Sequence, residues 1–129
     1  MTSKKQVLSS TNAPKAVGPY SLGIQSGSLL FLSGQLGLDP KTGDFVEGGV
    51  EAQTKQALSN IKNVLEDNGA TLADVVKTSV FLADINDFPK MNTVYGSFFE
   101  NDPPARSTME VGALPKLGLV EIEVIARIE

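Results

Sequence analysis

Four consecutive apolar residues, Leu29-Leu30-Phe31-Leu32, constrain the fold of this chain more than any other feature. Side chains alternate across a strand, so this run needs apolar cover on both faces. Leu119 to Ile128 reads as the last strand, with Val120, Ile122, Val124 and Ala126 on one face and Glu121, Glu123, Ile125 and Arg127 on the other. Only two helices are available as cover. The first spans about Val50 to Asn68, where Ala57, Leu58, Ile61, Val64 and Leu65 recur at spacings of three and four. Gly69 is placed to end it in the left-handed conformation. The second starts at Asn86 or Asp87, carries Pro89 in its first turn and runs to about Glu100, where Asp102-Pro103-Pro104 breaks it. Two helices cover one sheet face. The second face, still partly apolar, is expected to pack against another subunit.

The remaining strands fall between turn residues. Gln6 to Ser9 is a short edge strand. Tyr20 to Gln25 and Leu29 to Ser33 are joined by a turn at Ser26-Gly27-Ser28, and Asp39 to Gly43 is a further turn. Asp74 to Leu82 is rich in β-branched residues, and Arg106 to Val111 follows the second helix. The order predicts an α+β fold in which two helices pack on one face of a mixed sheet. Without a repeat or linker, residues 1–129 form one domain, long enough to bury roughly two-thirds of its unfolded surface.

Absences narrow the chemistry. With no Cys and no His, thiolate nucleophiles, Ser-His-Asp catalysis and most transition-metal sites are excluded, and no cofactor or metal motif is present. Carboxylates, Tyr, Lys and water remain as proton carriers, which suits gentle acid–base work on an already reactive substrate. The net charge of −4 argues against nucleic acid as a partner, although a local basic groove can hide in an acidic total. The N-terminal residues lack an apolar signal core, and no apolar run approaches the ~20 residues of a membrane span. The cytoplasm is the expected location, and no membrane partner is expected.

Five places invite a chemical reading beside a plainer one. Arg106 opens a strand after Pro103-Pro104-Ala105, as a surface Arg or as a fork for a carboxylate, with Thr108 and Glu110 on its side. Glu121 begins the charged face of the last strand, solvated or, if that face lines a subunit cleft, a proton acceptor for water. Asn92 falls in a helical stripe with Phe88, Tyr95 and Phe99, as a structural amide or a group at a pocket edge. Tyr20 follows Gly18-Pro19 and is either an ordinary half-buried Tyr or a hydroxyl that donates and accepts. Ser33-Gly34-Gln35 ends an apolar strand, where Gly34 lets something approach the backbone closely.

These places coincide with a family pattern. Pro104 to Lys116 followed by Leu119 to Glu123 resembles the C-terminal signature of the RidA (YjgF) family. Gly18 to Ser21, Leu32 to Gln35, Val76 to Asp84 and Asn86 to Phe88 resemble its earlier blocks, so the likeness runs from about Gln6 to the end. It implies a chorismate-mutase-like fold and a homotrimer around a central barrel, with a cleft between each pair of neighbours. It also implies an activity, hydrolysis of 2-aminoacrylate-type enamines and their imine tautomers to 2-keto acids and ammonia. Pyridoxal-phosphate dehydratases release such intermediates. By position, Arg106 matches the carboxylate anchor and Glu121 the group that positions water. Tyr20, Ser33 and Asn92 match cleft-lining residues, and Gly34 and Thr108 match positions that meet the ligand through backbone. Thr108 stands where many bacterial members carry Cys, which rules out thiol-dependent regulation. A ligand-sensing module without turnover is the alternative function, and RNA cleavage or translation inhibition, roles also attached to the family, fit this composition least.

Overall fold

Both helices lie on one face of the sheet because of how the chain crosses it. The computed structural model describes residues 4–129. Its strands are β1 (Gln6–Leu8), β2 (Gly23–Ser26), β3 (Leu29–Leu36), β4 (Val75–Leu82), β5 (Ala105–Glu110) and β6 (Val120–Arg127). The α-helices are α1 (Gly49–Asp67) and α2 (Phe88–Phe98). The six strands are ordered β1-β2-β3-β6-β4-β5, and the β4–β5 pair is parallel while every other pair is antiparallel. From β3 the chain crosses through α1 to β4, and from β4 through α2 to β5, moving in the same direction along the sheet both times. Parallel crossovers are right-handed, so two steps in one direction place both helices on the same side. The expected α+β arrangement of a mixed sheet covered on one face is what forms.

The core lies between that face and the helices. Leu30, Leu32, Val80, Leu82, Val120, Ile122, Val124 and Ala126 meet Ala57, Leu58, Ile61, Val64 and Leu65 of α1 and Met91 and Tyr95 of α2. The alternation read in β6 holds at every position, with its even-numbered residues buried and its odd-numbered ones partly or fully exposed. Gly69 has φ +84°, the left-handed geometry expected just beyond α1. Two polar side chains of α1 secure strand ends. Asn60 donates to the carbonyls of Leu36 and Leu38 at 3.3 and 2.9 Å, and Gln53 accepts from the Leu119 amide at 2.9 Å. The opposite face keeps apolar side chains in contact with solvent in the single chain, Phe31 at 41% and Met109 at 43% exposed.

Two boundaries and one helix cap differ from the sequence reading. Tyr20 to Leu22 are not strand: the Tyr20 amide donates to the Gly18 carbonyl at 2.8 Å, a tight bend that delays β2 until Gly23. β3 continues past Ser33 to Leu36, because a bulge between Leu32 and Gln35 interrupts the alternation without ending the strand. Asp87 is the N-cap position of α2, one of the two positions read, but its side chain makes no capping hydrogen bond. Instead, Asp84 accepts from the Asn86 amide at 2.9 Å and starts a 3₁₀ turn, Ile85–Asp87, that leads into the helix, with Pro89 in its first turn as expected.

Candidate functional site

The bulge in β3 builds one wall of a cavity. Leu32 pairs with Val124 and Gln35 with Ile122, so Ser33 and Gly34 together face the single residue Glu123. The phase shift brings Gly34 against Glu121: a Cβ placed on Gly34 would stand 2.8 Å from the Glu121 carboxyl carbon. Gly34 and Glu121 line a cavity of about 380 Å³ together with Tyr20, Leu22, Leu36 and Lys116. Its rim is formed by the loop from Pro14, the turn from Leu38 to Gly43 and the turn at Pro115.

Hydrogen bonds at both ends fix the loop that carries Tyr20. Upstream, the Asp67 carboxylate at the end of α1 accepts from Ser10 Oγ at 2.6 Å and Asn12 Nδ2 at 3.0 Å. Asn63 and Asn68 donate to the carbonyls of Asn12 and Ser9. These hydrogen bonds hold the Asp67 carboxyl below its ordinary range. Downstream, Ser33 Oγ donates to the Ser21 carbonyl at 2.6 Å and the Ser33 amide to the Leu22 carbonyl at 2.9 Å. Ser33 thus supports the cavity wall by holding the segment after Tyr20.

Glu121 is half-buried. Removal from water, and secondarily the negative charge of Glu123, push its carboxyl pKa above the ordinary value. A carboxylate with an upward-shifted pKa is a stronger base near neutral pH than a solvated one, provided it is deprotonated.

Arg106 lies on the other side of the sheet. In the β4–β5 register Arg106 pairs with Thr78 and Thr108 with Val80, both buried beneath the helices. The guanidinium sits over the rings of Tyr95, 4.6 Å away, and Phe88, 5.4 Å away. Tyr95 shares a 2.7 Å hydrogen bond with buried Thr78. Burial raises the Tyr95 pKa, against the smaller opposing effects of that bond and of Arg106, so the phenol stays protonated and neutral beneath the cation. A flat, always charged fork is therefore held by two aromatic faces at the exposed edge strand. Glu110, on the same side of β5, accepts from the Ile85 amide at 2.8 Å. Thr108 Oγ1 is buried without a hydrogen-bond partner in the single chain.

One chain does not unite these groups. Tyr20, Gly34 and Glu121 share the cavity, while Arg106, Thr108 and Asn92 do not line it. Glu121 pairs with Phe81 and Phe81 with Met109, which places Arg106 two strands across and three residues along, roughly 10 Å in each direction, and on the opposite face. Asn92 is exposed: α2 buries Met91 and Tyr95, and the next position after Met91 turns about 100° away from that line. Its amide therefore has no burial to compensate, unlike the buried alternative read from the stripe. Sequence reading gave no role to Lys15, Lys41 and Lys116, which also line the cavity; Lys41 was legible only as part of a turn. Among the described residues there is no cluster of three metal-ligating side chains, and no helix is long and apolar enough to cross a membrane.

Residues 10–128 match the family model described as endoribonuclease L-PSP. A RutC family protein of Pyrococcus horikoshii is 52% identical, over 95% of this chain and 97% of its own. A 2-iminobutanoate/2-iminopropanoate deaminase of Bos taurus is 48% identical, over 95% of this chain and 89% of its own. Among solved structures, Escherichia coli TdcF with bound serine superposes with a TM-score of 0.92 at 37% identity, covering 96% of this chain and 99% of that one.

Proposed function

This chain belongs to the endoribonuclease L-PSP (RidA/YjgF) family, and on that premise we propose that it hydrolyses 2-aminoacrylate-type enamines and imines, including 2-iminopropanoate and 2-iminobutanoate, to 2-keto acids and ammonia. It does so as a cytoplasmic homotrimer, needing no cofactor. The observation that carries this reading is the Glu121 carboxylate, half-buried against Gly34 in a cavity that also holds Tyr20. Two relatives support it: the deaminase named above, and a structural neighbour that binds serine, a small amino acid with a carboxylate.

The two groups of residues complete one another when a second copy packs on the apolar sheet face. The Arg106 side of one subunit then meets the Glu121 cavity of the next, and Asn92 and the Thr108 strand close the cleft beside Arg106. Arg106 takes the substrate carboxylate through two parallel hydrogen bonds. The enamine tautomer gains a proton on its terminal carbon and becomes the iminium. Glu121 accepts a proton from water as the water oxygen bonds to the imine carbon. The resulting carbinolamine takes that proton from Glu121 on nitrogen, returns its hydroxyl proton to the Glu121 carboxylate, and collapses to the ketone as the C–N bond breaks and ammonia departs; Glu121 then gives its proton to ammonia or solvent. Tyr20 is placed to hydrogen-bond the attacking water or the developing hydroxyl, while Ser33 and Gly34 keep the wall in place. The protonated imine is already a good electrophile, so orientation and a proton path suffice.

The test is a coupled assay. A threonine or serine dehydratase generates the imine, and its decay is followed with and without this protein, alongside light scattering for subunit number. Faster imine decay from a three-chain particle is expected. Decay at the spontaneous rate, with binding of a keto acid intact, would favour a sensing module instead.

A further inference from the structure

The cavity is more basic than a neutral three-carbon imine needs. Its volume in the single chain, before a neighbour closes it, is about 380 Å³. In a chain of net charge −4, the charged residues lining this cavity are Lys15, Lys41, Lys116 and Glu121. The three lysines come from three separate segments that meet at the rim.

Lys116 is the most firmly built of the three. It has φ +56°, and the next residue, Leu117, has φ +60°. Two successive non-glycine residues in the left-handed region are costly and persist only where the surroundings impose them. Here Gly118, packed against Leu36 and Phe45, and hydrogen bonds from Leu117 and Gly118 back to Leu114 and Pro115 hold the turn. The turn delivers the Lys116 ammonium to the opposite rim, where it donates to the Gly43 carbonyl at 3.1 Å. An ammonium has three donors, so two remain for another acceptor.

We propose that this lysine-rimmed cavity takes a second carboxylate on the substrate, with Lys116 as the specificity residue, so that imino acids with an acidic side chain are hydrolysed alongside small neutral ones. This rests on the deaminase reading: Arg106 of the neighbouring subunit holds the α-carboxylate, and the distal carboxylate reaches Lys116, with Lys15 and Lys41 adding to the positive field. The field also draws anions into the cavity, an effect that salt weakens.

The experiment compares matched pairs. An amino-acid oxidase generates imines from glutamate and from glutamine, which differ in side-chain charge at nearly constant shape. The ratio of kcat/KM for the acidic to the neutral imine is measured for the parent, Lys116→Gln and Lys116→Arg. Calorimetry of 2-oxoglutarate against 2-oxobutanoate gives a binding readout that needs no turnover. The expected result is a ratio that falls about tenfold or more in Lys116→Gln, the scale of one charge-assisted hydrogen bond, that is largely kept in Lys116→Arg, and that declines with salt. The dicarboxylate should bind more tightly than the monocarboxylate in the parent and in Lys116→Arg, and lose that preference in Lys116→Gln. An unchanged ratio in Lys116→Gln, or no preference for the dicarboxylate, overturns the assignment even if neutral imines are hydrolysed. Preferred dicarboxylate binding without turnover of either imine would keep the anion site and remove the deaminase reading.

Discussion

Replacing Gly34 by Ala should cripple hydrolysis while leaving the fold intact. Gly34 has no left-handed φ, so Ala fits its backbone, and the whole effect is steric. The new Cβ would stand 2.8 Å from the Glu121 carboxyl carbon, and 2.9 Å from Cγ and from Oε2. Carbon atoms rest about 3.5–4.0 Å apart, so the carboxylate must retreat by about 0.7 Å or more. Its end is flexible and half-exposed, which makes the retreat cheap for stability. For catalysis it is not cheap, because a misplacement of about 1 Å costs up to ~10²-fold. We therefore expect kcat to fall about ten- to a hundredfold in the dehydratase-coupled assay, with little change in KM, Tm or subunit number. A double-mutant cycle tests the cause. Glu121→Gln alone should cost about 10²–10⁴-fold, and adding Gly34→Ala to it should cost almost nothing more, since both act through one carboxylate. Full activity in Gly34→Ala, or additive losses in the double variant, would refute the reasoning.

Other expectations follow from the same geometry. Arg106→Ala should lower kcat/KM by about 10²–10⁴-fold, the loss of two charge-assisted hydrogen bonds, and Arg106→Lys should recover only part, with the subunit number unchanged in both. Because burial raises the Glu121 pKa and Glu123 adds to the rise, the acid limb of the kcat profile should lie above the pH at which a solvated Glu titrates. Glu123→Gln removes a negative neighbour, lowers the Glu121 pKa and should shift that limb to lower pH; a pH–rate series checks the sign. Tyr95→Phe strands the buried Thr78 hydroxyl, a cost of about 1–3 kcal/mol readable by denaturant unfolding, and loosens the platform under Arg106.

What the sequence reveals here depends on period. α1 and β6 carry clean helical or alternating patterns, and their placement and buried faces follow directly; β4 reads from its β-branched residues and alternates only from Thr78 on, after a register shift between Val75 and Lys77. The apolar second face of β3 points correctly to an uncovered sheet surface, with Phe31 41% exposed in the single chain. Period fails at the bulge. Ser33-Gly34 reads as a strand end because the alternation shifts there, although β3 continues to Leu36. Tyr20 reads as strand because a tight bend after Gly18-Pro19 leaves no periodic mark. The alternation puts Glu121 on the face away from the helices, but its contact with Gly34 depends on register between strands far apart in sequence. The Arg106 platform similarly requires knowing that α2 lies over β5, and three lysines from one loop and two turns meet only in the folded chain.

Subunit mixing tests the central claim, that one cleft needs Arg106 from one copy and Glu121 from the next. Arg106→Ala and Glu121→Gln chains, each expected to be nearly inactive alone, are unfolded together and refolded as mixed particles. If each cleft draws one residue from each of two neighbours, random assembly leaves about a quarter of the clefts with both native groups. The account predicts recovery of about a quarter of the parent imine-hydrolysis rate in the equimolar mixture. A mixture no more active than its two parents would contradict it.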